Sequence, residues 1–143
     1  MSYVKIWIHA VWGTKNRDPI LSKDVRTKLF QHLIENAKEK KIYIDTINGY
    51  FDHIHCLFAL NADMSISKTM QLLKGESAFW TNKNILLKPK LVWADEYFAV
   101  SVSESIVDKV RKYIKEQEDH HKSVTYKEEY DRFIKKYKFL IHG

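Results

Sequence analysis

Three features of the sequence predict an α+β fold built on one antiparallel sheet. Short runs rich in β-branched and aromatic residues alternate with longer segments whose apolar residues recur at helical spacing. Two of those runs, IYIDTINGYF (42–51) and HIHCLFAL (53–60), follow each other closely enough to pair as a hairpin. The 143 residues are one domain's worth of chain, enough to bury a core without disulfides or a structural metal, so 1–143 reads as a single domain.

The elements follow in order. YVKIWIHAVW (3–12) is a strand closed by Gly13 and a polar turn to Pro19. Ser22 is placed to cap a helix in which Val25, Leu29, Leu33, Ile34 and Ala37 form the apolar face. The second and third strands join through Asn48 to Asp52, with Asn-Gly early in the join. A second helix over SISKTMQLLKGESAFWTNK (65–83) sets Ile66, Met70, Leu73 and Phe79 at roughly helical intervals, with Gly75 as a mild break. Residues 91–102, LVWADEYFAVSV, supply a fourth strand, and Ser103 or Ser105 is placed to cap a third helix through IVDKVRKYIKEQEDHHK (106–122). The order βαββαβ with a following helix is the ferredoxin-like arrangement, with helices on one face of the sheet. The tail TYKEEYDRFIKKYKFL (125–140) is amphipathic, with Tyr126, Tyr130, Phe133 and Tyr137 on one stripe, and needs a surface to cover it.

A net charge of +6 makes an anionic partner plausible. The single cysteine, Cys56, forms no internal disulfide, which suits a reducing compartment. The first residues lack a signal-peptide apolar core, and no apolar run approaches the roughly 20 residues of a membrane span, so the sequence reads as cytoplasmic.

The chemistry concentrates in YFDHIHCLFAL (50–60). Alternate residues of a strand share a face, so His53 and His55 point the same way with Cα atoms about 6.5–7 Å apart. Two imidazoles at that spacing can converge on one ion, or can be two buried histidines satisfied by their neighbours. Tyr113 and Gln117, four residues apart on the third helix, share a face of it. Two imidazoles and an amide oxygen form a mixed N/O site for a divalent cation that leaves positions open for substrate oxygens. A phenol with a free pKa of about 10 is a poor nucleophile unless the phosphate it attacks is polarised and held.

With these pieces in place the sequence resembles the HUH single-stranded-DNA transposases with one catalytic tyrosine. The matching segments are VWGTKNRDPIL, DHIHCLF, SISKTMQLLKGESAFW, EYFAVSV and VRKYIKEQEDHH, in that order, over most of the chain. The resemblance implies that His53, His55 and Gln117 are metal ligands for Mg²⁺ or Mn²⁺ and that Tyr113 is the nucleophile. It implies cleavage and rejoining of single-stranded DNA through a 5′-phosphotyrosine, recognition of hairpins at element ends, and a homodimer whose sites are shared between subunits. Lys15, Arg17, Lys68 and Lys74 are candidates for DNA backbone contacts, and Trp80 or Phe79 for base stacking. His120 and His121, about one turn beyond Gln117, read as outer or solvated residues rather than ligands. Two departures stand out: SVSESI (101–106) replaces the usual glycine before the tyrosine helix, and Cys56 replaces an aliphatic residue, as a small buried hydrophobe on the reverse face of the strand. The alternatives are a non-catalytic nucleic-acid-binding module of the same fold, against which the absence of an RNP-like aromatic run counts, and a domesticated hairpin-binding relative.

Overall fold

The computed structural model describes residues 1–140. Four strands, β1 (Trp7–Gly13), β2 (Tyr43–Tyr50), β3 (His53–Ala59) and β4 (Phe98–Val102), form one sheet in the order β2-β3-β1-β4 with every neighbouring pair antiparallel. Helices α1 (Lys23–Glu39) and α2 (Ile66–Asn84) cross between strands, and α3 (Val107–Lys115), α4 (Gln117–His120) and α5 (Tyr126–Lys136) follow β4. This is the ferredoxin-like topology the sequence predicts.

Strand alternation divides the sheet chemically. Ile8, Ala10 and Trp12 of β1 and Ile54, Cys56 and Phe58 of β3 face one side, where they pack with Val25, Leu29, Leu33 and Ala37 of α1 and Met70 and Leu73 of α2. Cys56 is fully buried there, as expected of a small hydrophobe. Trp7, His9 and Val11 of β1 and His53, His55 and Leu57 of β3 occupy the other side, under α3, α4 and α5.

Several boundaries differ from the sequence expectation. β1 begins at Trp7, where pairing to Ala59 and Val102 begins on its two flanks, and Tyr3, Val4 and Ile6 are exposed. The hairpin turns at Phe51–Asp52, and Asn48 and Gly49 lie within β2. Gly49 is there for space: a Cβ would collide with the His53 carbonyl across the turn. β4 is shorter than 91–102, because the preceding residues run irregularly and pair with the chain at the first strand's end through a single bridge from Thr14 to Trp93. α2 runs unbroken through Gly75. Ile34 and Phe79, expected on buried faces, are exposed.

The third helix is interrupted. Ser103 caps a single turn of 3₁₀ helix, α3 ends at Lys115, and Glu116, with φ −92° and ψ 12°, separates it from α4. α5 is locally well specified: Thr125 and Glu128 form a reciprocal capping box. Its stripe finds its cover on the same chain, with Tyr126 buried against Val11 and Phe98, and Tyr130 and Phe133 packed beside them. The first ring of α5 settles over Gly13, where an added Cβ would approach the Tyr126 ring to 2.6 Å.

Candidate active site

The histidines His53 and His55 sit on adjacent same-face positions of β3, and both side chains are fully buried. Each is held from behind. His53 Nδ1 lies 2.8 Å from Asp52 Oδ1, and His55 Nδ1 lies 2.9 Å from His9 Nε2. Their Nε2 atoms point to the space under α3–α5, where His53 Nε2 is 3.3 Å from Gln117 Oε1 and His55 Nε2 is 2.9 Å from Glu129 Oε1. Gln117 and His121 follow Tyr113 at successive four-residue steps, and His121 Nε2 lies 2.9 Å from the same amide oxygen. His121 Nδ1 meets the Val124 carbonyl at 2.6 Å.

Glu129 is the centre of this arrangement. It is 2 % exposed, and its Oε1 lies 3.4 Å from His53 Nε2 and 3.4 Å from His121 Nε2 as well as close to His55. Its other oxygen accepts the hydroxyl of Tyr113. His120 Nε2 is 3.3 Å from that oxygen but outside hydrogen-bonding geometry, and is buried without a partner. The ring of Tyr113 stands edge-on to His55 at 5.5 Å and to His9 at 6.3 Å. Tyr113 is positioned through its helix, because Arg111 of α3 clamps Asp45 of β2 with two bonds, Nε to Oδ1 at 2.8 Å and Nη2 to Oδ2 at 3.0 Å.

Burial and partners set the charges. Burial, reinforced by neighbouring His55, pulls His9 down to about 3. Burial likewise pulls His55 down to about 4 against the opposing pull of Glu129, so both rings are neutral near pH 7. Burial opposes charge on His53 too, but its bonds to Asp52 and Glu129 win and raise its pKa. Burial would raise Glu129, yet hydrogen bonds from His121, His53 and His55 outweigh it and hold the carboxyl well below the usual range. Burial and then the negative charge of Glu129 push the Tyr113 phenol above its ordinary value. Glu129 holds the Tyr113 hydroxyl by accepting its hydrogen bond.

The donor set fits a divalent cation. One atom from each of His53, His55, His121 and Glu129 lies within 4.8 Å of the others, all four residues are buried, and Gln117 adds an amide oxygen. Imidazole with carboxylate and amide oxygen suits Mn²⁺ or Mg²⁺ in that order of softness. The structure therefore brings together all four residues singled out in the sequence, His53, His55, Tyr113 and Gln117. His121, expected as an outer or solvated residue, is buried beside these residues, and Glu129 and His9 join the group.

A sequence profile described as "Transposase IS200 like" matches residues 2–117. The chain belongs to this transposase family. It is 27 % identical over 119 residues to the ISDra2 transposase TnpA of Deinococcus radiodurans, across 78 % of this chain and 83 % of that one. Among solved structures it is similar to a putative transposase from Deinococcus radiodurans R1, with a TM-score of 0.65 and 25 % identity over 82 % of this chain and 95 % of the other. It also shares the fold of a REP-associated tyrosine transposase bound to a REP hairpin, with a TM-score of 0.61 and 18 % identity over 87 % and 73 % of the two chains. IS200-like transposases are DNA-cleaving enzymes of recombination, so the coarse activity of the chain follows from its membership. His121, Glu129 and all of α5 lie beyond the matched residues.

The other residues singled out as DNA contacts divide between faces of this transposase. Lys15 and Arg17 form a 3₁₀ turn at the end of β1, with the Arg17 guanidinium 5.7 Å from the Tyr130 ring. Lys68, Lys74, Phe79 and Trp80 are on α2, across the sheet from Tyr113. Lys74 Nζ is tied to the carbonyls of Ala94 and Asp95, at 2.7 and 3.1 Å, and Trp80 stacks on His32 at 4.4 Å. Among the described residues no helix is long and apolar enough to cross a membrane.

Proposed function

We propose that this transposase acts as a single-domain, cytoplasmic strand transferase that cleaves and rejoins single-stranded DNA through Tyr113. The carrying observation is the hydroxyl of Tyr113 held at the edge of a buried cluster of His53, His55, His121, Glu129 and Gln117. In the reaction the Tyr113 oxygen bonds to phosphorus as the bond from phosphorus to the 3′-oxygen breaks. The products are a 5′-phosphotyrosine and a free 3′-hydroxyl, with the phenolic proton passing overall to the leaving oxygen. Attack by another 3′-hydroxyl reverses the step, so the phosphodiester energy is conserved in the protein–DNA link. His53, His55 and Gln117 would hold Mg²⁺ or Mn²⁺, with His121 and Glu129 as further donors, and the bound ion would supply Lewis-acid polarisation of the phosphate. The protein's own part is to exclude water, to set both ring orientations through Asp52 and His9, and to hold the Tyr113 hydroxyl in place.

The partner in this reading is single-stranded DNA with hairpin ends, in line with the hairpin bound by the REP-associated relative. Lys15 and Arg17 would approach the backbone near the cleaved strand, and Lys68, Lys74 and Trp80 would serve a stem lying across the α2 side. A homodimer with sites shared between subunits belongs to the same reading. The described chain places Tyr113 against its own His55, so sharing would require α3 to change partners.

Replacing Tyr113 by Phe removes one oxygen and is expected to abolish the covalent adduct while hairpin binding persists. End-labelled single-stranded DNA on a denaturing gel reads this directly. An adduct that survives Tyr113→Phe would move the nucleophile elsewhere, with Tyr126 the next to test.

A further inference from the structure

Between α3 and α5 runs a cleft of about 480 Å³ whose inner end is formed by Tyr113, Glu129 and His120. That volume is within the range of small-molecule sites. Its walls are apolar and partly aromatic, with Val110 on the α3 side facing Phe133 and Tyr137 on the α5 side. Lys109, Arg132 and Lys136 also line it, all exposed, and none of the three is ion-paired among the described residues. By contrast Arg26 and Arg111 are both tied to carboxylates. The one carboxylate lining the cleft, Glu129, is already engaged by imidazoles and by Tyr113. At the inner end the ring nitrogen Nε2 of His120 is buried with no hydrogen-bond partner.

We propose that this cleft seats one unpaired nucleotide of the DNA strand, immediately beside the phosphodiester that Tyr113 attacks; this rests on the strand-transfer reading above. Aromatic walls stack a base, three free cations at the opening match the phosphates on either side of it, and His120 offers a ring nitrogen to a base edge or sugar oxygen. A base inserted between two helices has no room for a pairing partner, so the site selects single strands. One wall is α5, which lies outside residues 2–117, and the other is α3, which lies inside them, so the family profile covers only part of the seat.

The test uses full-length protein and hairpin-bearing single-stranded oligonucleotides, on which adduct formation by the wild-type protein marks the attacked phosphate. A 2-aminopurine is placed in turn at each nucleotide along the strand. Wild-type protein is expected to quench one position strongly, next to the attacked phosphate. Val110→Trp, which fills the cleft, should abolish that quenching and raise the KM for DNA about tenfold. Lys136→Glu, a change at an exposed residue whose Nζ lies 5.2 Å from the Tyr137 ring, should weaken binding about as much and flatten its salt dependence. Unchanged quenching and unchanged KM in both variants would overturn the proposal. Absence of any adduct with wild-type protein would instead strike the strand-transfer reading, and the quenching pattern would still decide whether a base enters the cleft.

Discussion

The two faces of the sheet are made by the same strands, one wholly apolar and the other setting buried histidines among apolar neighbours. On the α1/α2 face, Ile8, Ala10, Trp12, Ile54, Cys56 and Phe58 form an uninterrupted apolar core. On the other face the alternate positions of those strands bury His9, His53 and His55. Residues one apart thus belong to a stabilising layer and a reacting layer. The polar groups of the second layer cost desolvation that they recover only through one another, in the chain from Asp52 to His53 and from His9 through His55 to Glu129. The apolar face supplies the stability that lets such a layer exist.

Paired substitutions on β3 break the comparison most sharply. His55→Ala removes a candidate ligand and should lower adduct formation by orders of magnitude, with only partial rescue by saturating Mn²⁺, in a protein that remains folded. Metal-free wild-type protein that cleaves as fast as metal-loaded protein would end the metal reading and leave the histidines as acid and base. Phe58→Ala, three residues away on the opposite face, should cost about 3–5 kcal/mol in denaturant unfolding. It should leave Mn²⁺ affinity of the folded protein near wild type. Loss of metal binding in folded Phe58→Ala protein would show that the faces are not separable.

A smaller effect is expected behind the ligands. His9→Ala deprives His55 Nδ1 of its partner and should weaken Mn²⁺ binding about 10- to 100-fold by calorimetry. His9→Gln, whose amide can donate or accept, should recover much of it. Equal affinity in His9→Ala and wild type would reduce His9 to packing.

Smallest is the clamp of Arg111 on Asp45, which fixes the tyrosine helix to the sheet from its edge. Its bonds to Arg111 hold the Asp45 carboxyl below its ordinary 3.8. A depressed folded pKa gives stability that is present above the unfolded value and disappears as pH falls through the folded one. Asp45→Asn should therefore cost about 1.5 kcal/mol at pH 7, and the difference from wild type should shrink as pH drops below 3.8. Parallel melting curves at pH 7 and pH 3 measure it, and a pH-independent gap would assign the loss to packing.

The strands and helices were readable because alternation and helical spacing are local, and His53, His55, Tyr113 and Gln117 were readable because each pair shares one element or was carried by the family resemblance. The hairpin turn falls within the expected join, at Phe51–Asp52, while Asn48 and Gly49 prolong β2 because Gly49 answers to the crowding of His53 rather than to turn chemistry. His121 continues the four-residue spacing of Tyr113 and Gln117, a helical signal that places it on their face of the segment. Glu129 did leave a trace: it stands at the third position after Tyr126, inside the aromatic stripe of α5, where an acid facing a buried surface calls for partners. His9 left one as well, sharing its strand face with Trp7 and Val11. What neither pattern shows is that α5 folds back onto β1 and β3.

That fold-back has a consequence in time. The donor cluster draws on residue 53 at one end and residue 129 at the other, and the seat for its last helix, Gly13, is made near the start of the chain. During synthesis the sheet's first three strands are complete long before Glu129 leaves the ribosome, so a nascent chain carries the histidines without their carboxylate. Closing so long a loop is the late, slow part of assembly. A polypeptide cut short before residue 129 would keep the sheet and both strand histidines, yet would lack the carboxylate that joins them to Tyr113.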